Sequence, residues 1–232
     1  MKKYDLHVHT IYSKVAFWGY DALNTPEEIV DAAVKKGLNG IAITDHNTIK
    51  GALKAKNYAK KKYPNFNVII GEEIKTASGD LLGIGLHKEI KPYMSLKDSI
   101  DEIHSQGGIA IAPHPFAKFI LRECLMKKAI FADAIEVLNA CSALKFQNNS
   151  AKELAIKYSI PMVAGSDSHS ILTLGAAGII CNNDPISEIK NGKVKVFGRE
   201  AKRKILIEVY YKKIWRSVNW FFSKKRKEEL LK

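Results

Sequence analysis

Asp5-Leu6-His7-Val8-His9 is the stretch on which the reading of this chain turns. Lys3 to Val8 reads as a short apolar strand, and side chains on a strand alternate between its two faces. His7 and His9 therefore project to the same side. Two imidazoles side by side at a strand's end are a ready pair of metal ligands, although polar residues closing the edge of a core would look the same.

Outward from that strand, apolar runs alternate with helical patterns. Thr25-Pro26-Glu27-Glu28 is a helix start, with Thr25 as cap, Pro26 in the first turn and glutamates at the positive helix end. Ile29, Val30, Ala33 and Val34 give that helix its apolar face, and Gly37 ends it. Further strands are expected at Gly40–Thr44, Val68–Ile70, Leu81–Leu86, Ile109–Ala112, Ala134–Leu138, Pro161–Ala164 and Ala177–Cys181. Helices are expected up to about Lys62, over Ser95–Gln106 and over Asn149–Tyr158. Such alternation implies largely parallel pairing, and the number of units is compatible with a small closed barrel.

The polar residues that follow these strands form a pattern: His7/His9, Asp45/His46, Glu72/Glu73, His114 and Asp167/His169. Each alone could be a cap or a turn residue. In a parallel barrel the carboxyl ends of the strands converge on one face, so together they point to a shared metal site. Imidazole with carboxylate suits zinc, manganese or iron rather than calcium. So many ligands exceed one tetrahedral zinc, and two or three ions bridged by a carboxylate fit better. Glu136 and Asn139, at the end of another strand, could orient a ligand. His87 and His104 read as surface residues.

Composition sets outer bounds. The chain has 232 residues, 46% of them hydrophobic, enough for one large α/β domain or two small ones. Cys124, Cys141 and Cys181 form no Cys-x-x-Cys pair, which suggests a reducing compartment without a disulfide framework. Lys2 and Lys3 lead straight into a charged strand, so no signal peptide is expected. No apolar run is long enough for a transmembrane segment, and the expected location is cytoplasmic. The net charge of +13 suggests polyanionic partners, and it is uneven: Arg199 to Lys232 holds 12 Lys/Arg against 4 Asp/Glu. The chain is therefore read as a domain over 1–198 and a basic, aromatic-containing helical extension over 199–232. The extension is expected to pack its apolar residues (among them Ile205, Val209, Ile214, Trp215, Trp220, Phe221 and Phe222) on the domain's outside, with lysines solvated. A nucleic-acid contact, an interfacial membrane helix or an oligomer contact are the alternatives.

The blocks Asp-Leu-His-Val-His-Thr, Ile-Thr-Asp-His-Asn-Thr, Gly-Glu-Glu-Ile, Pro-His-Pro and Gly-Ser-Asp-Ser-His run from residue 5 to 169. In these blocks and their order the sequence resembles the PHP (polymerase and histidinol phosphatase) family. The resemblance implies an α/β fold, a distorted (β/α)7 barrel, with two or three divalent metal ions at a multinuclear centre. Carried over by position, His7, His9, Glu73 and Asp167 would hold one ion. Glu73 would bridge to a second held also by His114, and His46 and His169 would hold a third. The family places another ligand a few residues after the second His; here Ser13-Lys14 and an apparent insertion (Val15 to Tyr20) precede Asp21, which lies at the right distance from Pro26 and takes that role. Glu72 is the fallback for Glu73. Asp80 stands where many members have a ligand His.

The expected function is that of a metal-dependent phosphoesterase using a metal-activated hydroxide, with Asp167 or His169 passing a proton to the leaving oxygen. Substrates allowed are a phosphorylated small molecule, a nucleotide or an oligonucleotide end. The alternative is a non-hydrolytic metal-binding scaffold whose basic tail contacts nucleic acid or a membrane surface.

Overall fold

The computed structural model describes residues 1–15, 19–117, 124–142 and 144–230, with side chains up to Asn219. The side chains of Lys14 to Tyr20, which include the whole apparent insertion, and those of Trp220, Phe221 and Phe222 lie outside the described residues. In chain order the strands are β1 Lys2–Val8, β2 Lys14–Val15, β3 Gly19–Tyr20, β4 Gly40–Ile43, β5 Asn67–Thr76, β6 Gly79–Ile84, β7 Ile109–Ala112, β8 Ala134–Asn139, β9 Met162–Gly165, β10 Ala177–Cys181 and β11 Lys195–Gly198. The helices are α1 Pro26–Lys35, α2 Lys50–Lys62, α3 Leu96–Ser105, α4 Lys145–Lys157, α5 Pro185–Lys190 and α6 Arg203–Leu230, with a 3-10 turn over Met126–Phe131.

Nine strands form one mixed sheet in the order β11-β10-β1-β4-β5-β6-β7-β8-β9. It curls until β9 meets β1: the Ser168 carbonyl accepts from His9 N at 2.9 Å and the His7 carbonyl from Ser168 N at 3.2 Å. Seven strands thus run round a nearly closed barrel. Beyond it, β10, expected over Ala177–Cys181, and β11, not expected from the sequence, extend the sheet antiparallel from β1 to nine strands. The expected parallel pairing is also interrupted. Gly71-Glu72-Glu73 reads as a strand end, yet β5 continues to Thr76, pairing parallel with β4 in its first half and antiparallel with β6 in its second.

Two hydrophobic layers hold the barrel. Inside lie Tyr4, Leu6, Ile69, Leu82, Ile84, Ile109, Ile111 and Val163. Outside, Ile41, Ile43, Val68 and Ile70 pack with Ile29, Val30 and Ala33 of α1 and Ala52, Ala55 and Ala59 of α2. The start of α1 forms as its sequence predicts, with a reciprocal Thr25–Glu28 capping box. Gly165 is needed for closure, since a Cβ there would lie 2.5 Å from His7 Cβ and 2.7 Å from Glu136 Oε1.

The terminal helix α6 docks differently from expectation. Val209 and Ser217 are buried, and between them Lys213 and Arg216 face the barrel. Ile207, Tyr210, Tyr211, Ile214, Trp215 and Val218 are exposed. An apolar stripe reads as a packing face only if nothing else anchors the helix, and here two cations do.

Candidate metal centre

The cluster is assembled at the rim where β1, β4, β5, β7 and β9 end or turn. On β1 the pairing with β4 slips between Asp5 and Val8. The extra residue re-aims the strand, so that Tyr4 and Leu6 fill the barrel interior and His7 and His9 still face the rim. Glu73 follows Ile69 and Gly71 on the inward side of β5, while Glu72 faces outward. A second slip, between Glu136 and Leu138 of β8, turns Asn139 to the same side as Glu136. His114 and Asp167 adopt positive φ of 29° and 53°, strain of the kind that concentrates at functional sites.

All eight predicted ligands converge. His7 Nε2 and His9 Nε2 are 3.1 Å apart. Asp167 Oδ1 lies 3.5 and 3.4 Å from them, and Glu73 Oε2 lies 3.4 and 3.2 Å from them. Glu73 also reaches His46 Nδ1 at 3.2 Å and, through Oε1, His114 Nε2 at 3.0 Å. Asp21 Oδ2 lies 3.2 Å from His46 Nε2 and 2.7 Å from His169 Nε2. Ligand atoms fall into three overlapping groups, each within 4.8 Å: His7, His9 and Asp167; His7, Glu73 and His114; His9, His46 and His169. Asp80 lies on the inward side of β6 with Leu82 and Ile84, and its charge bears on His46. His87 is exposed, and the half-exposed His104 pairs with Asp133 at 2.8 Å.

The donor chemistry fits divalent cations. His7 Nδ1 donates to Glu136 Oε1 at 3.1 Å, so in the neutral imidazole the Nε2 lone pair points into the cluster. His169 Nδ1 lies 2.9 Å from the Asp167 carbonyl, which can only accept. Its Nε2 lone pair then faces the Asp21 carboxylate. Lone pairs aimed at carboxylates repel unless a proton or a cation stands between them. The outer groups hold this arrangement: Glu136 Oε2 accepts from His114 N at 2.8 Å and from Asn139 Nδ2 at 2.9 Å, and Asn139 Nδ2 also donates to Asp167 Oδ2 at 3.2 Å.

Electrostatics gives the same picture. Against the effect of burial, Asp167, Glu136 and Glu73 hold the His7 imidazole well above its usual range. Burial likewise opposes the rise of His46, yet Glu73, Asp21 and Asp80 push it up to about 9. Burial is also outweighed at Glu73, which His46 and His7 hold well below the usual carboxylate range. His169 goes the other way: burial, helped by Lys213 and His9, pushes it down to about 4 despite Asp21.

Sequence reasoning missed several contributors. Ser13 Oγ accepts from His46 N at 3.2 Å and lies 3.1 Å from His9 Nδ1. Asp45, read with His46 as part of the ligand pattern, is instead a brace, accepting from Thr10 N and Thr10 Oγ1 at 2.6 and 2.8 Å. Asp5 accepts from Ser166 N and Gly175 N at 2.9 and 2.8 Å, tying β1 to the Asp167 loop. Lys213 pairs with Asp21 Oδ1 from α6. Of the missed residues, only Asp5, two positions before His7, carries a signal within the sequence.

Known proteins share this frame. The PHP domain model matches residues 5–173. Protein MJ1587 of Methanocaldococcus jannaschii is 38% identical over 162 residues, covering 67% of this chain and 92% of that protein. A 5′-3′ exoribonuclease of Haemophilus influenzae is 37% identical over 86 residues, covering 37% of this chain and 27% of the nuclease. A two-domain Bacteroides vulgatus protein, described as containing a PHP-like metal-dependent phosphoesterase, superposes with a TM-score of 0.65 at 20% identity, over 91% of this chain and 69% of that one.

Proposed function

The chain belongs to the PHP domain family, and from that premise we propose that it is a metal-dependent phosphoesterase acting on a small phosphorylated metabolite, a nucleotide or an oligonucleotide end. The observation that carries this reading is the convergence of imidazole lone pairs and carboxylates from separate strands, with His7 and His9 Nε2 only 3.1 Å apart. In this reading His7, His9, Glu73 and Asp167 hold one divalent cation, Glu73 and His114 a second, and Asp21, His46 and His169 a third, of zinc, manganese or iron. Bound cations supply Lewis-acid polarisation of the phosphoryl group and make a water nucleophilic at neutral pH. Glu136 fixes the His7 ring, and Asn139 steadies Glu136 and Asp167 together. Proton transfer to the leaving oxygen falls to Asp167 or His169 in this reading. Residues 1–198 form the catalytic unit and 199–232 its basic extension. The partial similarity to an exoribonuclease and the charge of +13 support keeping oligonucleotide ends among the substrates.

The test is turnover of an aryl phosphate and of short phosphorylated RNA by protein loaded with manganese or zinc. Activity is expected, and it should vanish in a His7→Ala/His9→Ala double variant. Activity unchanged in that variant would overturn the assignment. A single tightly held ion without turnover would favour a non-hydrolytic scaffold.

A further inference from the structure

Among the described residues, the cluster is reachable from one side. His7, His9, Asp167, Glu73 and His114 are at most 2% exposed, whereas His46, His169 and Asp21 are 24%, 11% and 13% exposed. Among the described residues, the open edge is therefore the one formed by Asp21, His46 and His169. At that edge stands Lys213, its side chain 23% exposed and its ammonium on Asp21 Oδ1. The other oxygen of the same carboxylate faces His46 and His169.

This lysine is held there by its own helix. Three residues on, Arg216 Nη1 donates to the Leu23 carbonyl at 2.6 Å and lies 3.5 Å from that of Ala22. Leu23 N in turn donates to the His169 carbonyl at 2.9 Å. The helix is thus clamped to the segment carrying Asp21, and through it to the His169 loop.

We propose that Lys213 is a substrate-binding residue that the terminal helix contributes to the mouth of the metal centre, where its ammonium takes an oxygen of the incoming phosphate. This rests on the phosphoesterase reading above. An ammonium has three donors, and Asp21 occupies one of them. A dianionic phosphate approaching through the open edge meets the remaining donors before it reaches the inner histidines. Lysine suits this task as a point charge on a flexible stem.

The experiment uses the full chain loaded with manganese, in parent, Lys213→Met and Lys213→Arg forms. Metal content is measured, inorganic phosphate is titrated calorimetrically, and KM and kcat are taken on an aryl phosphate. Loss of a charge-assisted hydrogen bond should weaken phosphate binding about tenfold to a hundredfold in Lys213→Met. KM should rise in step, metal content should stay at the parent's level, and Lys213→Arg should recover most of the affinity. Equal phosphate affinity in parent and Lys213→Met would overturn the inference. So would loss of metal from Lys213→Met, which would reduce the lysine to a support for Asp21. Failure of phosphate to bind the metal-loaded parent would instead sink the phosphoesterase reading, and this inference with it.

Discussion

Two adjacent carboxyl groups on β5 have opposite fates. Glu73 faces the rim among four imidazoles and is held ionised, well below the usual carboxylate range, although it is buried. Glu72 faces outward, equally buried. Its Oε2 accepts from Ile90 N at 3.2 Å, and its Oε1 has no hydrogen-bond partner among the described residues. Burial pushes Glu72 up to about 8. Burial alone neutralises an acid, whereas burial among imidazoles keeps it charged. Only the second kind of site is prepared for a cation, and strand alternation decides which glutamate occupies it.

The comparison breaks most visibly if Glu73 is neutralised. Glu73→Gln removes the one carboxylate that touches His7, His9, His46 and His114 together. It should lower metal content and reduce kcat/KM on an aryl phosphate by roughly 10³-fold or more, as metal analysis and steady-state kinetics would detect. Glu72→Gln should alter neither. If the two variants behaved alike, the inward and outward assignment would be wrong.

One layer out, Glu136→Gln keeps the shape but weakens the hold on His7 Nδ1 and His114 N. A change at such an orienting residue should cost about 10–100-fold in metal affinity, as a competition titration against a chelator would show. Affinity equal to the parent's would mean that Glu136 is a structural carboxyl only.

How much of this was readable beforehand depends on the range of the interaction. His7 and His9 are legible because strand alternation is local; Asp21 is reached only through the family resemblance, which implies a ligand shortly before the Pro26 helix. The bulge that keeps Leu6 and His7 on one side was not legible, since it depends on pairing with β4. The Gly71-Glu72-Glu73 stretch reads as a strand end, and only the antiparallel partner β6 shows it to be continuous strand. The terminal helix was read by its apolar stripe. Its anchors, Lys213 on Asp21 and Arg216 on Leu23, pair residues nearly two hundred positions apart, and no sequence period records them.

The rim also makes a pH prediction. His46 rises to about 9 in the metal-free chain, so at pH 7 it carries a proton that a cation must expel. Metal binding should therefore release at least about one proton, and apparent affinity should rise roughly tenfold per pH unit between pH 6 and 9. Calorimetry of manganese binding in buffers of different ionisation enthalpy measures this. Binding without proton release would contradict the charge state assigned to the cluster.

The smallest expected effect is on the outward side, and it concerns stability. In the unfolded chain Glu72 loses its proton near 4.5, whereas in the folded chain it keeps it until about 8. Between those values the folded state binds the extra proton, so stability falls as pH rises through the window and levels off above 8. The full displacement corresponds to roughly 5 kcal/mol. Glu72→Gln cannot ionise and keeps an acceptor for Ile90 N, but its amide NH₂ takes the place of the partnerless Oε1 and forfeits part of the gain. The variant should match the parent near pH 5 and exceed it by about 1–3 kcal/mol at pH 9, or roughly 2–4 °C of Tm per kcal/mol. Denaturant melts of metal-free protein at the two pH values measure the difference. A gap that does not widen with pH would mean that Glu72 is ionised after all, and the contrast between the two sides of β5 would collapse.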